Sequence, residues 1–385
     1  MKYFDYYNPT RICFGENRVK DINALIPDNA KVLILFGGNS AKKAGTLDEV
    51  TNALGKREII LFGGVEANPT YEKMMAAVEI VRKEKIDFMV AVGGGSVIDG
   101  TKFVSAAALY QGEPWEIMTT GGKKISKTIP FGSVLTLPAT GSEMNCGSVI
   151  THKAKHAKLS FMHPGVYPKF SILDPTKTYT LPKNQLANGI VDAFVHIVEQ
   201  YLTYPTNAMV QDRYAESLLL SLIELAPKVL TDELDYNSRA NFMWVATQAL
   251  NGLIGAGVPQ DWATHVIGHE LTVRYNIDHA RTLAIILPAL LTVQQDSKKE
   301  KLLQYAKRVW NITKGSDEQI IKACITQTTE FFNSVGIKTS LTDYDINTDE
   351  IPEIVNQLKE HGMTALGEHK DIDLKISQRI LETAL

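Results

Sequence analysis

Residues 86–99 read IDFMVAVGGGSVID. Ile86–Val92 is a short run that is apolar apart from Asp87, continuous rather than alternating, as expected of a strand covered on both faces. Gly93-Gly94-Gly95-Ser96 ends the run, and Val97-Ile98-Asp99 opens a helix. A strand, a glycine turn and a helix in that order leave backbone N–H groups free at the positive end of a helix dipole, where an anion can sit. The string departs from G-x-G-x-x-G, because Ile98 stands where the third glycine should be. A tight turn without a ligand is therefore the competing reading of these residues.

The same grammar extends towards the N-terminus. Lys31–Phe36 (KVLILF) ends in Gly37-Gly38, and Glu58–Phe62 (EIILF) ends in Gly63-Gly64. Pro69 suits the first position of a helix running to about Glu84, with Met74, Ala77, Val78 and Val81 at helical spacing. Units of this kind predict a parallel sheet with helices on its faces. Neighbouring strand ends in such a sheet share one crevice, which pairs the turn Gly37-Gly38-Asn39-Ser40 with Gly94, Gly95 and Ser96. The earlier turn carries no acidic residue to repel a 2′-phosphate, which favours NADP(H) and leaves NAD(H) open. Thr136 and the cluster Thr140-Gly141-Ser142-Glu143 could touch phosphate, ribose or the nicotinamide amide, although ordinary turn chemistry explains them equally well.

Between about 105 and 180 turn residues separate short β-prone pieces such as Gly132–Leu137 and Phe170–Leu173. Beyond Leu181-Pro182 the chain becomes helical, with long segments at Gln185–Tyr201, Ala208–Leu230 and Ser238–Ile254. The fold expected is an α/β N-terminal Rossmann-like domain (1–180) that binds a dinucleotide, followed by an all-α, metal-binding C-terminal domain (181–385).

The metal reading begins inside the first of those helices. Asp192 and His196 lie one turn apart on one helical face, among Ile190, Val191, Ala193, Phe194, Val195, Ile197 and Val198. A helix apolar nearly all round is buried, and a buried carboxylate needs a partner. The alternative is a helical Asp–His pair on a solvated surface. Downstream, Asp261-Trp262-Ala263-Thr264-His265-Val266-Ile267-Gly268-His269 repeats the four-residue spacing, and His279 follows across a probable turn. Several imidazoles with one carboxylate suit Fe2+ or Zn2+, whereas calcium prefers oxygen ligands. Spacing alone does not choose three histidines from this set. A metal that polarises an alcohol or aldehyde oxygen and a nicotinamide that takes or gives a hydride together make a dehydrogenase.

Composition removes other classes. A net charge of −3 gives no general attraction to nucleic acid or to anionic membranes. The three cysteines, Cys13, Cys146 and Cys324, are too few and too scattered for a disulfide framework, and no signal peptide or membrane span is visible. The cytoplasm is the location expected.

Several strings resemble the iron-containing (group III) alcohol dehydrogenases, in the branch of butanol dehydrogenases and broad-range NADPH-dependent aldehyde reductases. They are GGGSVID at 93–99, LPATGSEMN at 137–145, NGIVDAFVH at 188–196, GVPQDWATHVIGHELT at 257–272 and DHARTLAIILP at 278–288. The resemblance implies Asp192, His196, His265 and His279 as metal ligands, with iron or zinc in that site. It places His269 beside the metal and the nicotinamide, as a catalytic group or a supporting histidine. Gly94, Gly95, Ser96 and Asp99 match its pyrophosphate loop, and Gly37, Gly38 and Ser40 its adenosine end. It sets Thr136, Thr140, Ser142, Asn145 and Lys158 along the cofactor, Lys158 suiting a 2′-phosphate or the ribose, although alone it would read as a surface lysine. Gly38 occupies a position where relatives often carry an Asp that excludes NADP. The resemblance further implies a homodimer and an active site in a cleft between the two domains. Trp262 and the apolar residues near Leu253 and Ile254 suggest walls for unbranched aliphatic alcohols and aldehydes. Two other readings compete: a lyase of the dehydroquinate synthase kind on the same fold, and a nucleotide- and metal-binding sensor without turnover. The strings at 257–272 and 278–288 fit the first poorly, and nothing in the sequence supports the second.

Overall fold

The computed structural model of the protein describes residues 1–38 and 40–385; Asn39, assigned above to the first glycine turn, lies outside them. The chain divides into two compact units. One comprises Tyr7–Pro182 and Glu233–Thr247, the other Met1–Tyr6, Lys183–Asp232 and Gln248–Leu385. The longest stretches of the two units meet at Pro182 and Lys183, and each unit also takes a segment from across that point.

Among the described residues the first unit carries eight strands: β1 (Arg11–Phe14), β2 (Val32–Phe36), β3 (Ile59–Phe62), β4 (Phe88–Gly94), β5 (Phe131–Leu137), β6 (Gly147–His152), β7 (Ala157–Met162) and β8 (Phe170–Leu173). Between them lie α1 (Ile22–Leu25), α2 (Ser40–Lys43), α3 (Thr46–Ala53), α4 (Tyr71–Glu84), α5 (Gly95–Ala107) and α6 (Glu116–Thr119). Six strands form a parallel sheet in the order β1-β8-β5-β4-β2-β3, and β6 and β7 form an antiparallel pair. Side chains of a strand alternate between faces. Leu33, Leu35, Met89 and Ala91 accordingly join one core, and Val32, Ile34, Val90 and Val92 the other. Burial on both faces is why these strands read as unbroken apolar runs.

The chain leaves β2 towards β3, then returns to the far side of β2 as β4 and continues to β5. The strand order therefore reverses between β2 and β4, the place where open parallel sheets leave a crevice beyond their carboxyl ends. Phe36 lies opposite Val92 across that pair, so Gly37-Gly38 and Gly93–Ser96 emerge side by side. One expectation needs correcting. Pro69 does not begin α4; Thr70 caps it, with its hydroxyl accepting from the Lys73 N–H (3.4 Å).

The remaining helices are α7 (Lys183–Tyr201), α8 (Met209–Val229), α9 (Tyr236–Ala249), α10 (Ala263–Tyr275), α11 (His279–Val293), α12 (Lys299–Arg308), α13 (Asp317–Ser334), α14 (Ile351–Glu360) and α15 (Leu374–Thr383). Most of α9 belongs to the α/β unit; the others build the helical one. From Leu186 to Tyr201 every residue of α7 is buried. The α9 helix ends at Ala249 rather than at the expected Ile254, and the chain then turns through Gly252 at φ +89°. Among the described residues no helix is long and apolar enough to cross a membrane.

Candidate functional site

In the α/β unit the loops at the switch point are tightly built. The register of β4 on β5 shifts at Gly93/Gly94, and α5 starts at once, with Gly94 as its N-cap. A Cβ on Gly95 would come within 2.2 Å of Thr140 Oγ1, so only glycine lets the two loops approach this closely. Gly38 is the opposite case: a Cβ there meets nothing within 4 Å, which leaves room towards any nucleotide held by the turn. Ser40 opens α2 beside it and is exposed. Ser96 donates to the Ala67 carbonyl (2.9 Å), and half-buried Thr136 lies near the carboxyl end of β5.

Asp99, Ser142 and Asn145, far apart in sequence, are gathered by a residue that the sequence reading missed. Lys102 is fully buried, and its ammonium donates to Ser142 Oγ (2.8 Å), Asn145 Oδ1 (2.8 Å) and the Gly147 carbonyl (2.6 Å). Asp99 accepts from Ser142 Oγ (2.5 Å) and from the Val149 N–H (2.9 Å), which occupies both of its oxygens. Burial lowers the Lys102 pKa to about 8, with Asp99 opposing. The available signal was a lysine in the middle of an apolar helix, GSVIDGTKFVSAA. The same loop is held from beneath by Glu143, whose carboxylate accepts from Thr247 of α9 (2.5 Å) and whose carbonyl accepts from Ser171 (2.6 Å). Lys158 on β7 donates to Asn68 Oδ1 (3.0 Å), in the segment between β3 and α4.

In the helical unit the expected ligands converge from three helices. Asp192 and His196 come from α7, His265 from α10, and His279 is the first residue of α11. Ligand atoms of Asp192, His265 and His279 all lie within 4.8 Å of one another. His196 joins them through Nε2, 3.0 Å from His265 Nε2, and through Nδ1, 3.7 Å from Asp192 Oδ1. His279 Nε2 is likewise 3.7 Å from that oxygen. Burial lowers His196 to about 4, with Asp192 opposing, so its imidazole is neutral and able to bind a metal. Asp192, His265 and His279 fit Fe2+ or Zn2+ by the chemistry of the donors, and His196 stands outside that group of three, against His265 and Asp192.

Around this set, Asn188 donates to Asp278 (3.0 Å) and fixes the residue before His279. The Trp262 ring lies 5.2 Å from that of His265 and 6.1 Å from that of His196. His269 is half-buried, with its ring 6.3 Å from His265 and 5.2 Å from His279. Ile254 is buried and lines a small pocket with Gln200 and Tyr201, while Leu253 is exposed at 36%. Sequence reading also passed over Glu199, whose carboxylate contacts His265 Nδ1 and accepts from the Thr264 N–H (2.7 Å). Burial and the neighbouring Asp261 raise its pKa, against the N–H groups of Thr264 and His265 and the ammonium of Lys298.

A doubly wound sheet with glycine turns at its switch point, and a helical unit with a three-histidine, one-carboxylate cluster, define a class: metal-dependent, nicotinamide-linked oxidoreductases. The chain belongs to the iron-containing alcohol dehydrogenase family. The family description "Iron-containing alcohol dehydrogenase" matches residues 9–175, and "Fe-containing alcohol dehydrogenase family, C-terminal" matches 186–382. It is 55% identical to the NADPH-dependent aldehyde reductase YqhD of Escherichia coli strain K12, over 100% of both chains. The crystal structure of E. coli K-12 YqhD superposes with a TM-score of 0.99, covering 100% of this chain and 99% of the other at 55% identity. A probable NADH-dependent butanol dehydrogenase 1 of Bacillus subtilis strain 168 is 39% identical, again over 100% of both chains. The protein is an enzyme, an oxidoreductase of the alcohol dehydrogenase and aldehyde reductase type acting on small molecules.

Proposed function

We propose that this protein is an NADP(H)-dependent reductase of short and medium aliphatic aldehydes, butanal among them, with one divalent ion held by Asp192, His196, His265 and His279. The observation that carries the metal part is the convergence of those side chains from three separate helices. Once bound, the ion supplies Lewis acidity towards the alcohol or carbonyl oxygen, and the nicotinamide takes or gives the hydride. The protein's own part is positional. Gly94, Gly95 and Ser96 offer the backbone of the α5 N-terminus to a pyrophosphate. Gly37, Gly38 and Ser40 face the adenosine end, with Lys158 for a 2′-phosphate. Lys102 and Asp99 hold Ser142 and Asn145 in place along the cofactor, with Thr140 accepting from the Ser142 N–H. His269, one turn beyond His265, orients the substrate or relays its proton. NADP(H) is preferred because Gly38 brings no charge to the turn and because the relative at 55% identity is NADPH-dependent whereas that at 39% is named NADH-dependent. A cytoplasmic homodimer completes the proposal.

The test is the initial rate of reduced-cofactor consumption with butanal. NADPH should give a much higher kcat/KM than NADH, and His269→Ala should lower kcat by about 100-fold or more while retaining its metal. A preference for NADH would overturn the cofactor assignment, and loss of metal from His269→Ala would make it a ligand.

A further inference from the structure

We propose that Glu199 is the positioning residue of the metal centre, holding His265 with its proton on Nδ1 and so keeping Nε2 for the ion. The inference rests on the metal reading above. A histidine ligand presents one ring nitrogen to the metal, and the partner of the other nitrogen decides which one carries the proton. His265 Nε2 faces His196 Nε2 at 3.0 Å, so the ligating side of the ring is the side turned to the cluster. Its far nitrogen, Nδ1, faces Glu199 Oε2.

Glu199 is itself held in place. It is 2% exposed, and its other oxygen, Oε1, accepts from the Thr264 N–H at 2.7 Å. Thr264 is the second residue of α10, which begins abruptly after Trp262 at φ +64°. The Glu199 carboxylate therefore lies at the positive end of the helix that carries His265, where the Thr264 N–H opposes the burial that raises its pKa and leaves Oε2 directed at Nδ1. The same turn is tied down twice more. The Asp261 N–H donates to the Glu199 carbonyl (2.9 Å), and Asp261 Oδ1 accepts from the Ala263 N–H (3.0 Å). Behind it, buried Lys298 bridges Asp261 (3.0 Å) and Glu368 (2.6 Å) and donates to the Leu202 carbonyl (2.8 Å). A carboxylate with one oxygen on the backbone of α10 and the other on the imidazole couples the start of that helix to the orientation of its ligand. Glu199 comes one turn after His196 on α7, so a single helix supplies two members of the cluster and the orienter of a third.

Glu199→Gln is the discriminating change, because its amide has one accepting oxygen for the two donors, the Thr264 N–H and the His265 Nδ1–H, that the carboxylate serves together. The probe is Co2+ or Zn2+ alone, competed with a chelator on the full-length protein. The wild type should bind one ion that His265→Ala loses. Glu199→Gln should bind it roughly 10- to 100-fold more weakly, with the Tm of the metal-free form nearly unchanged. Imidazole 15N spectra of the zinc-loaded wild type should show His265 protonated at Nδ1, a signature that a purely structural role for Glu199 does not require and that stands if the variant fails to fold. Equal affinity of Glu199→Gln, or a His265 without a proton on Nδ1, overturns the inference and leaves the metal reading intact. A wild type that binds neither ion overturns the metal reading and this inference with it.

Discussion

At the scale of single residues, Lys102 and Gly38 do opposite work for the nucleotide loops. Lys102 is a buried cation whose three hydrogen bonds tie the segment 142–147 to α5. Lys102→Met removes the donor shared by Ser142 Oγ, Asn145 Oδ1 and the Gly147 carbonyl, a loss of about 1–3 kcal/mol. The KM for the cofactor should rise more than kcat falls. The lysine also gives the protein a pH signature. Its ordinary pKa is 10.5 and its folded value about 8. Between those values the unfolded chain holds a proton that the folded chain has released, so the stability contributed by this group increases with pH across the window. In urea unfolding the wild type should therefore gain on Lys102→Met from pH 8 to 10.5; a relative loss would show that the folded site holds the ammonium more tightly than water does. Gly38 has open space at its Cβ position, so Gly38→Asp should fold normally. Two like charges about 4 Å apart cost about 1 kcal/mol in water and about 4 at an intermediate dielectric, so kcat/KM for NADPH should drop roughly 5-fold to several hundred-fold. NADH kinetics should change little. Equal losses with both cofactors would place the 2′-phosphate elsewhere.

At the scale of elements, the metal centre depends on how α10 packs on α11. Gly268 stands at that contact, where a Cβ would come within 2.9 Å of Thr282 Oγ1 and 3.3 Å of Leu283 Cδ2. Thr282 is fully buried and bonded to the His279 carbonyl (2.7 Å), so it has little freedom to move aside. Alanine normally stabilises a helix interior over glycine by roughly 0.5–1 kcal/mol. Here Gly268→Ala should instead weaken metal binding, because it pushes His265 and His269 away from His279; chelator competition measures the shift, and unchanged affinity would refute the packing argument. Elements were legible in the sequence to the extent that their burial was uniform. Strands β2 and β4 announce themselves as unbroken apolar runs because both faces are covered, whereas β3, at one edge of the sheet with Leu61 exposed, is apolar without being buried throughout. The edge strand β1, Arg11–Phe14, has no such run and was not foreseen. The α4 start was misplaced by two residues because a proline signal was preferred to the Thr70 cap. Spacing of four brought out Asp192, His196, His265 and His269, but it cannot show which nitrogen faces inward, so Glu199 stayed hidden among the buried residues of α7.

At the scale of the whole molecule, the sequence shows a change from α/β to helical composition near residue 180. It could not foresee that Glu233–Thr247 returns to the α/β unit, because an amphipathic period says that one face is buried and not against what. Thr247 on Glu143 is one bond of that return. The central claim is that turnover of the nicotinamide requires an ion held by the Asp192–His196–His265–His279 cluster. Its most direct measurement is butanal-dependent NADPH consumption by the full-length protein stripped with a chelator, before and after adding Fe2+ or Zn2+, in wild type and His279→Ala. The result expected is no consumption by the stripped wild type, recovery when an ion is returned, and no recovery in His279→Ala. Undiminished consumption by the stripped protein, or full recovery in His279→Ala, would contradict the account.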